Sequence, residues 1–402
     1  TIIVLPILLS LIDIPDKGHI KRLIQGGRFQ AAENLNKWNV NHPKIILATS
    51  ALLFIFALYG LTKLDYNASI LEDLSAGNPL YENLKFVESH MGGTLPLEIV
   101  IDTGTENGIL DDNILARIDE LSDMVLRFPE VGHVLSIVSH LKILNEKIGT
   151  GLRQIPDNKD EALSYLIGYE PAGTMVNADF SKARISARII NLPTNRAFEI
   201  RDRILQHSNE IFPTNVKSIV TGSTILALHT NRLLVKNLSI SFMLAFIIIF
   251  ISMVILFKSF RLAMLSILPN IIPLMFAGGL MGYLGIKLRP STAMTFSIAL
   301  GIAVDDTIHF LSRFRQEFKK SGDYYGAISR TLLTTGKAII STTIILSLGF
   351  FVLVFSKFVP NHEFGILATI ILIVALGGSL ILLPVLIILV KPKLRFRITK
   401  EN

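Results

Sequence analysis

The sequence predicts an α-helical membrane bundle joined to one large α/β domain outside the bilayer. Three observations predict it. Half of the 402 residues are hydrophobic and only 18% are charged, too few charges for a soluble chain of this length. Six windows are long and apolar enough to span, since a spanning helix takes about 20 mainly apolar residues. One long polar stretch, residues 64–235, separates the first window from the other five.

The elements follow in order. Residues 1–12 are apolar but too short to span, and no basic segment precedes them. They read as the end of a truncated transmembrane helix, a partial seventh span, rather than as a signal peptide. Residues 13–43 form a connector in which basic residues sit beside Leu, Ile, Phe and Trp38. That pattern suits a helix lying on the membrane surface, and an ordinary solvated linker helix is the competing reading. The six full spans are expected at 44–63, 236–257, 262–285, 291–311, 336–357 and 365–390, the last five forming a bundle over 236–390. A basic tail, 391–402, closes the chain.

Lysine and arginine orient the spans. Lys17, Lys21, Arg22, Arg28, Lys37 and Lys44 fall on one side, and alternation brings Lys258, Arg261, Arg313, Arg315, Lys319, Lys320, Arg330 and the tail to the same side. The opposite short loops hold only Lys287, Arg289 and Lys357. The positive-inside rule makes the first side cytoplasmic, with the C-terminus there and 64–235 extracytoplasmic.

Within 64–235, "LEIVID" (97–102) reads as a strand, and 112–127 as a helix capped by Asp111 or Asp112. "HVLSIV" (133–138) reads as a further strand. "KARISARI" (182–189) alternates, with Ala183, Ile185, Ala187 and Ile189 on one face and Lys182, Arg184, Ser186 and Arg188 on the other. A helix at 196–211 and a strand at 216–222 follow. Residues 141–180 are mixed, with helical stretches, and are expected to be mobile. Two strand–helix–strand units predict a ferredoxin-like α/β domain with helices on one face of its sheet.

The candidate site is "GIAVDDTIH", Gly301 to His309, in the middle of an apolar span. A charged side chain at mid-bilayer costs about 2.5–3.5 kcal/mol on insertion scales, so such residues are expected to have a role. On a helix, Asp305 and Asp306 point about 100° apart, and His309 lies one turn further on, on the side they share. Gly301, four residues before Asp305, lets a neighbouring helix approach. Burial and mutual repulsion suit the pair to taking up and releasing a proton as a coupled unit. A buried ion pair or a polar helix contact is the bland alternative, weakened because His309 is the only cation near in sequence. In the next span Ser341, Thr342 and Thr343 lie at similar depth and could bond the carboxylates, although isolated intramembrane hydroxyls more often bond their own backbone. Asn270, between Pro269 and Pro273, reads as a kink. The Gly278/Gly282 and Gly377/Gly378 pairs read as close helix packing.

Several function classes are disfavoured. There is no cysteine, so no thiolate chemistry and no disulfide. "TTGKA" lacks the first glycine and the final hydroxyl of a phosphate-binding loop. Neither H-E-x-x-H nor G-x-S-x-G occurs. An aspartyl protease needs carboxylates meeting from two helices. The net charge of +7 follows membrane topology rather than one basic face, so no nucleic-acid partner is expected. No enzyme activity or cofactor is expected either.

With Gly301, Asp305 and Asp306 forming G-x-x-x-D-D in the third helix after the outer domain, the sequence resembles the RND (resistance–nodulation–division) superfamily. It is most similar to the branch with MMPL-type lipid exporters, hopanoid transporters and the Patched and Dispatched proteins. "GKAIISTTIILSLGF" (336–350) is similar to that family's following span. The resemblance covers nearly the whole chain. It implies a proton-driven exporter of hydrophobic or amphiphilic molecules (lipids, hopanoid- or sterol-like compounds, drugs) in a bacterial inner membrane. Asp305 and Asp306 would be its ion relay, with protons as the coupling ion and sodium as the alternative. His309, Thr342 and Thr343 join the relay by proximity. On this relay Asp305→Asn or Asp306→Asn is expected to abolish transport and leave expression intact. The family's architecture is two such halves, so the partner implied is an N-terminal half, a second protomer or a homo-oligomer. A protein-export auxiliary and a sterol- or lipid-sensing receptor that transports nothing are the competing readings.

Overall fold

The computed structural model describes residues 30–392 other than 68, 70, 76, 157, 168 and 170–172, with the backbone alone for 30–34. The partial span at 1–12, the connector up to residue 29 and the tail from 393 lie outside the described residues. Helix α1 (Gln30–Asn41) leads into α2 (Pro43–Leu61), whose Pro43 takes the first-turn position where a missing N–H costs nothing. Asn78 then caps α3 (Pro79–Met91), accepting from Leu80 N at 2.9 Å.

The outer domain runs β1 (Leu95–Asp102), α4 (Asp112–Leu126), β2 (Val131–Leu135), α5 (Ile137–Ile148), α6 (Lys159–Leu166), β3 (Lys182–Ile189), α7 (Thr194–Ile211) and β4 (Lys217–Thr221). Its sheet has the order β2-β3-β1-β4 with antiparallel neighbours throughout, the order of the split β-α-β arrangement. Leu97, Ile99 and Ile101 of β1 and Ala183, Ile185, Ala187 and Ile189 of β3 are buried, as the alternation predicted. They pack with Ile118 and Leu121 of α4 and Ile200 and Ile204 of α7.

The strand expected after α4 departs from its predicted length. "HVLSIV" is not a strand to its end: β2 stops at Leu135, and Ser136 caps α5 in a reciprocal capping box with Ser139. A short apolar run suits either structure, and here the cap decides. The mixed 141–180 segment contributes the rest of α5 and α6.

Among the described residues six helices are long and apolar enough to cross a membrane: Pro43–Leu61, Ser223–Phe257, Phe260–Leu284, Pro290–Ser321, Tyr324–Phe355 and Val359–Val390. Helix α8 (Ser223–Phe257) begins directly after β4, not near residue 236. Gly222 makes that junction at φ 108°, where a Cβ would lie 2.9 Å from the Pro96 carbonyl oxygen. Next come α9 (Phe260–Leu284), α10 (Pro290–Ser321), α11 (Tyr324–Thr331), α12 (Lys337–Phe351), α13 (Val359–Gly377) and α14 (Leu383–Val390). Two π-helical turns, Leu332–Gly336 and Gly378–Leu382, join α11 to α12 and α13 to α14.

Helices α2 and α9 touch backbone to backbone. A Cβ on Gly279 would lie 2.7 Å from Ala57 Cα, and one on Gly60 2.7 Å from Gly279 Cα. Gly282 abuts the Gly60 carbonyl, and Gly278 packs on Leu61. Small residues are what bring helices together where the hydrophobic effect is absent. Gly378 similarly admits the Pro269 carbonyl, which Pro273 has no N–H to bond; a Cβ there would sit 2.6 Å away.

Candidate functional site

Helix α10 carries two faces. Leu300, Ala303, Thr307, Phe310 and Phe314 are buried at helical spacing. Met294, Ile298, Gly301, Asp305 and His309 form the exposed stripe. The two carboxylates fall on opposite sides of that division. Asp306 is 8% exposed and lies inside the bundle, where Thr343 Oγ1 of α12 donates to its Oδ2 at 3.4 Å. Asp305 faces outward with its side chain 68% exposed, and His309 Nε2 sits 3.3 Å from its Oδ1.

The structure therefore gathers the expected residues into two groups. Asp306 and Thr343 form one; Asp305 and His309 form the other, with Gly301 one turn away. A Cβ on Gly301 would meet nothing within 4 Å among the described residues, so no described helix uses the space it leaves. Ser341 and Thr342 bond their own helix backbone: Ser341 Oγ donates to the Lys337 carbonyl, and Thr342 Oγ1 lies 3.0 Å from the Ala338 and Ile339 carbonyls.

Beside Asp306 lies a buried polar string that sequence reasoning missed. Thr307 Oγ1 is 3.2 Å from Asn270 Oδ1 and 3.3 Å from Ser379 Oγ, and all three residues are buried. Asn270 Nδ2 donates to the Ser266 carbonyl at 2.7 Å. Asn270 is thus more than a marker of the proline kink. Ser379 lies in the π-helical turn Gly378–Leu382, where the wider helix is a frequent companion of function. The signal that would have found Thr307 is its 3–4 spacing from Ala303 and Phe310 on the apolar face of α10.

A second polar cluster joins the outer domain to the bundle. Arg289, only 9% exposed, reaches Asp73 Oδ1 at 2.9 Å and Glu363 Oε1 at 3.5 Å. Lys287 donates to Glu72 Oε1 at 2.7 Å. Burial pushes the Glu72 carboxyl upward, but hydrogen bonds from Lys287 and Ser69 outweigh it and hold the group below its ordinary value. Leu288 N also donates to the Asp65 carbonyl at 2.7 Å, which pins the linker entering the outer domain against the loop before α10. Sequence reading counted Arg289 as an ordinary loop charge. Among the described residues no group of three or more His, Cys, Asp or Glu could hold a metal ion.

Residues 190–399 match the MMPL family. A membrane protein of Methanocaldococcus jannaschii is 26% identical over 357 residues, which cover 86% of this chain and 90% of that protein.

Proposed function

Because this chain belongs to the MMPL family of RND-type membrane transporters, we propose that it exports hydrophobic or amphiphilic molecules, with Asp306 as its proton-binding group. The observation that carries this reading is the burial of Asp306 at the middle of α10 against Thr343. A carboxylate there is stabilised only by neighbours that solvate it, so loss or gain of its proton changes which helix packing is favoured. The neighbouring Thr307, Asn270 and Ser379 offer further hydroxyl and amide groups at that depth. The membrane potential supplies about 2.3 kcal/mol per 100 mV to a charge that crosses it.

Asp305 and His309 serve the same site from the other side. A carboxylate and an imidazole on a lipid-facing surface at mid-span are expensive, so this stripe is covered by a second bundle. A second copy of the chain suits it: the methanogen protein is nine-tenths covered by the match, which leaves little room for another bundle within it. An N-terminal half joined to this chain is the other source. The lysine and arginine distribution orients the outer domain away from the cytoplasm.

The test uses vesicles containing purified protein and a fluorescent lipid analogue, with an imposed pH gradient. Wild-type protein moves the analogue and dissipates the gradient. Asp306→Asn folds and does neither; full flux by this variant refutes the reading. Binding without flux by the wild-type protein favours a lipid sensor instead. Because the chain has no native cysteine, Ile298→Cys reports the covering bundle directly by oxidative cross-linking between copies.

A further inference from the structure

The two π-helical turns of the bundle meet each other. The turn Leu332–Gly336 leads into α12, which carries Thr343, and the turn Gly378–Leu382 itself contains Ser379. A Cβ on Gly336 would lie 3.7 Å from Leu380 Cδ2, so the turns are packed together. The hydroxyls that reach Asp306 and Thr307 thus come from two irregular stretches of the membrane helices. A π turn is rare and holds one residue more than a regular turn, so its register needs support from outside the helix.

That support comes from α1, the helix before the first span. Asn36 and Asn39 lie three residues apart and share one of its faces. Asn39 is fully buried, and its Nδ2 donates to the Leu380 carbonyl at 2.8 Å. Residue 384 is proline, so the N–H that a helix would offer that carbonyl from four residues on does not exist. Asn39, 341 positions away in the chain, supplies a donor in its place. Asn36 Nδ2 donates to Ser329 Oγ at 3.1 Å, just before the other π turn. Ile46, near the start of α2, packs with Leu382, Val385 and Leu386 and seats the same stretch.

We propose that Asn39 is a positioning residue for the Asp306 site: from α1 it fixes the register of the Gly378–Leu382 turn and so holds Ser379 against Thr307 beside the acid. This rests on the reading of Asp306 as the proton-binding group, and on nothing about the molecule carried. Asn39 acts through Leu380, not by touching the acid. Among the described residues the charged groups that act on Asp306 are Asp305 and His309, both on its own helix. A change at Asn39 therefore reports position rather than charge.

The test is labelling of Asp306 by a hydrophobic carbodiimide, which reacts with the protonated carboxyl, in the full chain held in nanodiscs. Mass spectrometry across a pH series gives the labelling midpoint, and no flux is needed. Asn39→Leu, close in volume and without the donor, moves that midpoint by about 0.4 pH unit, the worth of one interhelical hydrogen bond. Ser379→Ala moves it likewise, and the double variant moves it no further, because both remove the same contact. Adding Pro384→Ala to Asn39→Leu returns an N–H to the Leu380 carbonyl and recovers the wild-type midpoint. Val40→Ala, at an exposed position on α1, changes nothing. An unmoved midpoint in Asn39→Leu, additive shifts in the double variant, or an equal shift in Val40→Ala overturns the proposal. Asn39→Ala stands in, with the same outcomes, if Asn39→Leu does not fold. Labelling without lipid flux in the wild-type protein overturns the export reading and leaves this inference standing; flux with an unmoved midpoint does the reverse.

Discussion

Replacing Arg289 with methionine tests how the outer domain is held to the bundle. Arg289 and Glu363 are each 9% exposed, and their closest atoms are 3.5 Å apart. Removing one partner of a buried pair costs about 3–5 kcal/mol, mostly because the other charge is left stranded. One feature sets the value at the low end: Asp73, the second partner, is 42% exposed, so water replaces the lost guanidinium there. Arg289→Met is therefore expected to cost about 3 kcal/mol, a change of roughly a hundredfold in the folded-to-unfolded ratio. Adding Glu363→Gln removes the stranded charge and should restore all but about 1 kcal/mol. The assay is unfolding of the full chain by SDS titration in mixed micelles, followed by circular dichroism. A cost below about 1 kcal/mol, or strictly additive losses in the double variant, refutes the reasoning.

Other expectations concern separate parts of the molecule. Gly279→Val places side-chain atoms where the Ala57 backbone lies, so it should cost more than the roughly 1–3 kcal/mol usual for overpacking and shift the protein into aggregates on size-exclusion chromatography. Gly77→Ala, with nothing within 4 Å of its Cβ, should elute as wild type. Thr307→Val loses its contacts with Asn270 and Ser379 and should cost about 1 kcal/mol in SDS titration, since an interhelical hydrogen bond in a membrane is worth about 0.6 kcal/mol. Thr342→Val, which loses only a backbone bond on an exposed face, should cost less than half as much; equal costs would remove the buried string as a distinct feature. Glu72 is held below its ordinary value of 4.5, so its stabilising effect is complete above that pH and is lost as pH falls through the lower, folded-state value. Glu72→Gln should therefore flatten the acid side of the stability curve by about 0.5 kcal/mol, a figure reduced for its partial exposure, and an unchanged curve would count against the Lys287 bond.

Much of this architecture can be read from residue order because membrane helices must bond their own backbone and must be apolar over a fixed length. The windows at 262–285 and 365–390 needed no tertiary information. The alternation in "KARISARI" was legible for a related reason: a half-buried strand must repeat every second residue. What escaped depended on neighbours remote in sequence. Val138 is as apolar in a helix as in a strand, and only the Ser136–Ser139 cap separates the cases. Asp305 and Asp306 are chemically alike and adjacent, yet one is enclosed by α12 and the other is not. Their divergence follows from the 100° step between consecutive residues, but which of them turns inward is decided by residues some 37 positions away. Arg289 likewise looked like an ordinary loop cation until Glu363, far along the chain, was brought to it.

Helix α8 leaves β4 at Gly222 and continues without a break to Phe257, 35 residues. At 1.5 Å per residue that is a rod of about 50 Å, stiff over its length and rooted at both ends in different solvents. A tilt of a few degrees at its lower end sweeps the upper end through several ångströms. Any displacement of the lower end would thus reach the outer domain as leverage, and the short connection at Gly222 is where it would arrive.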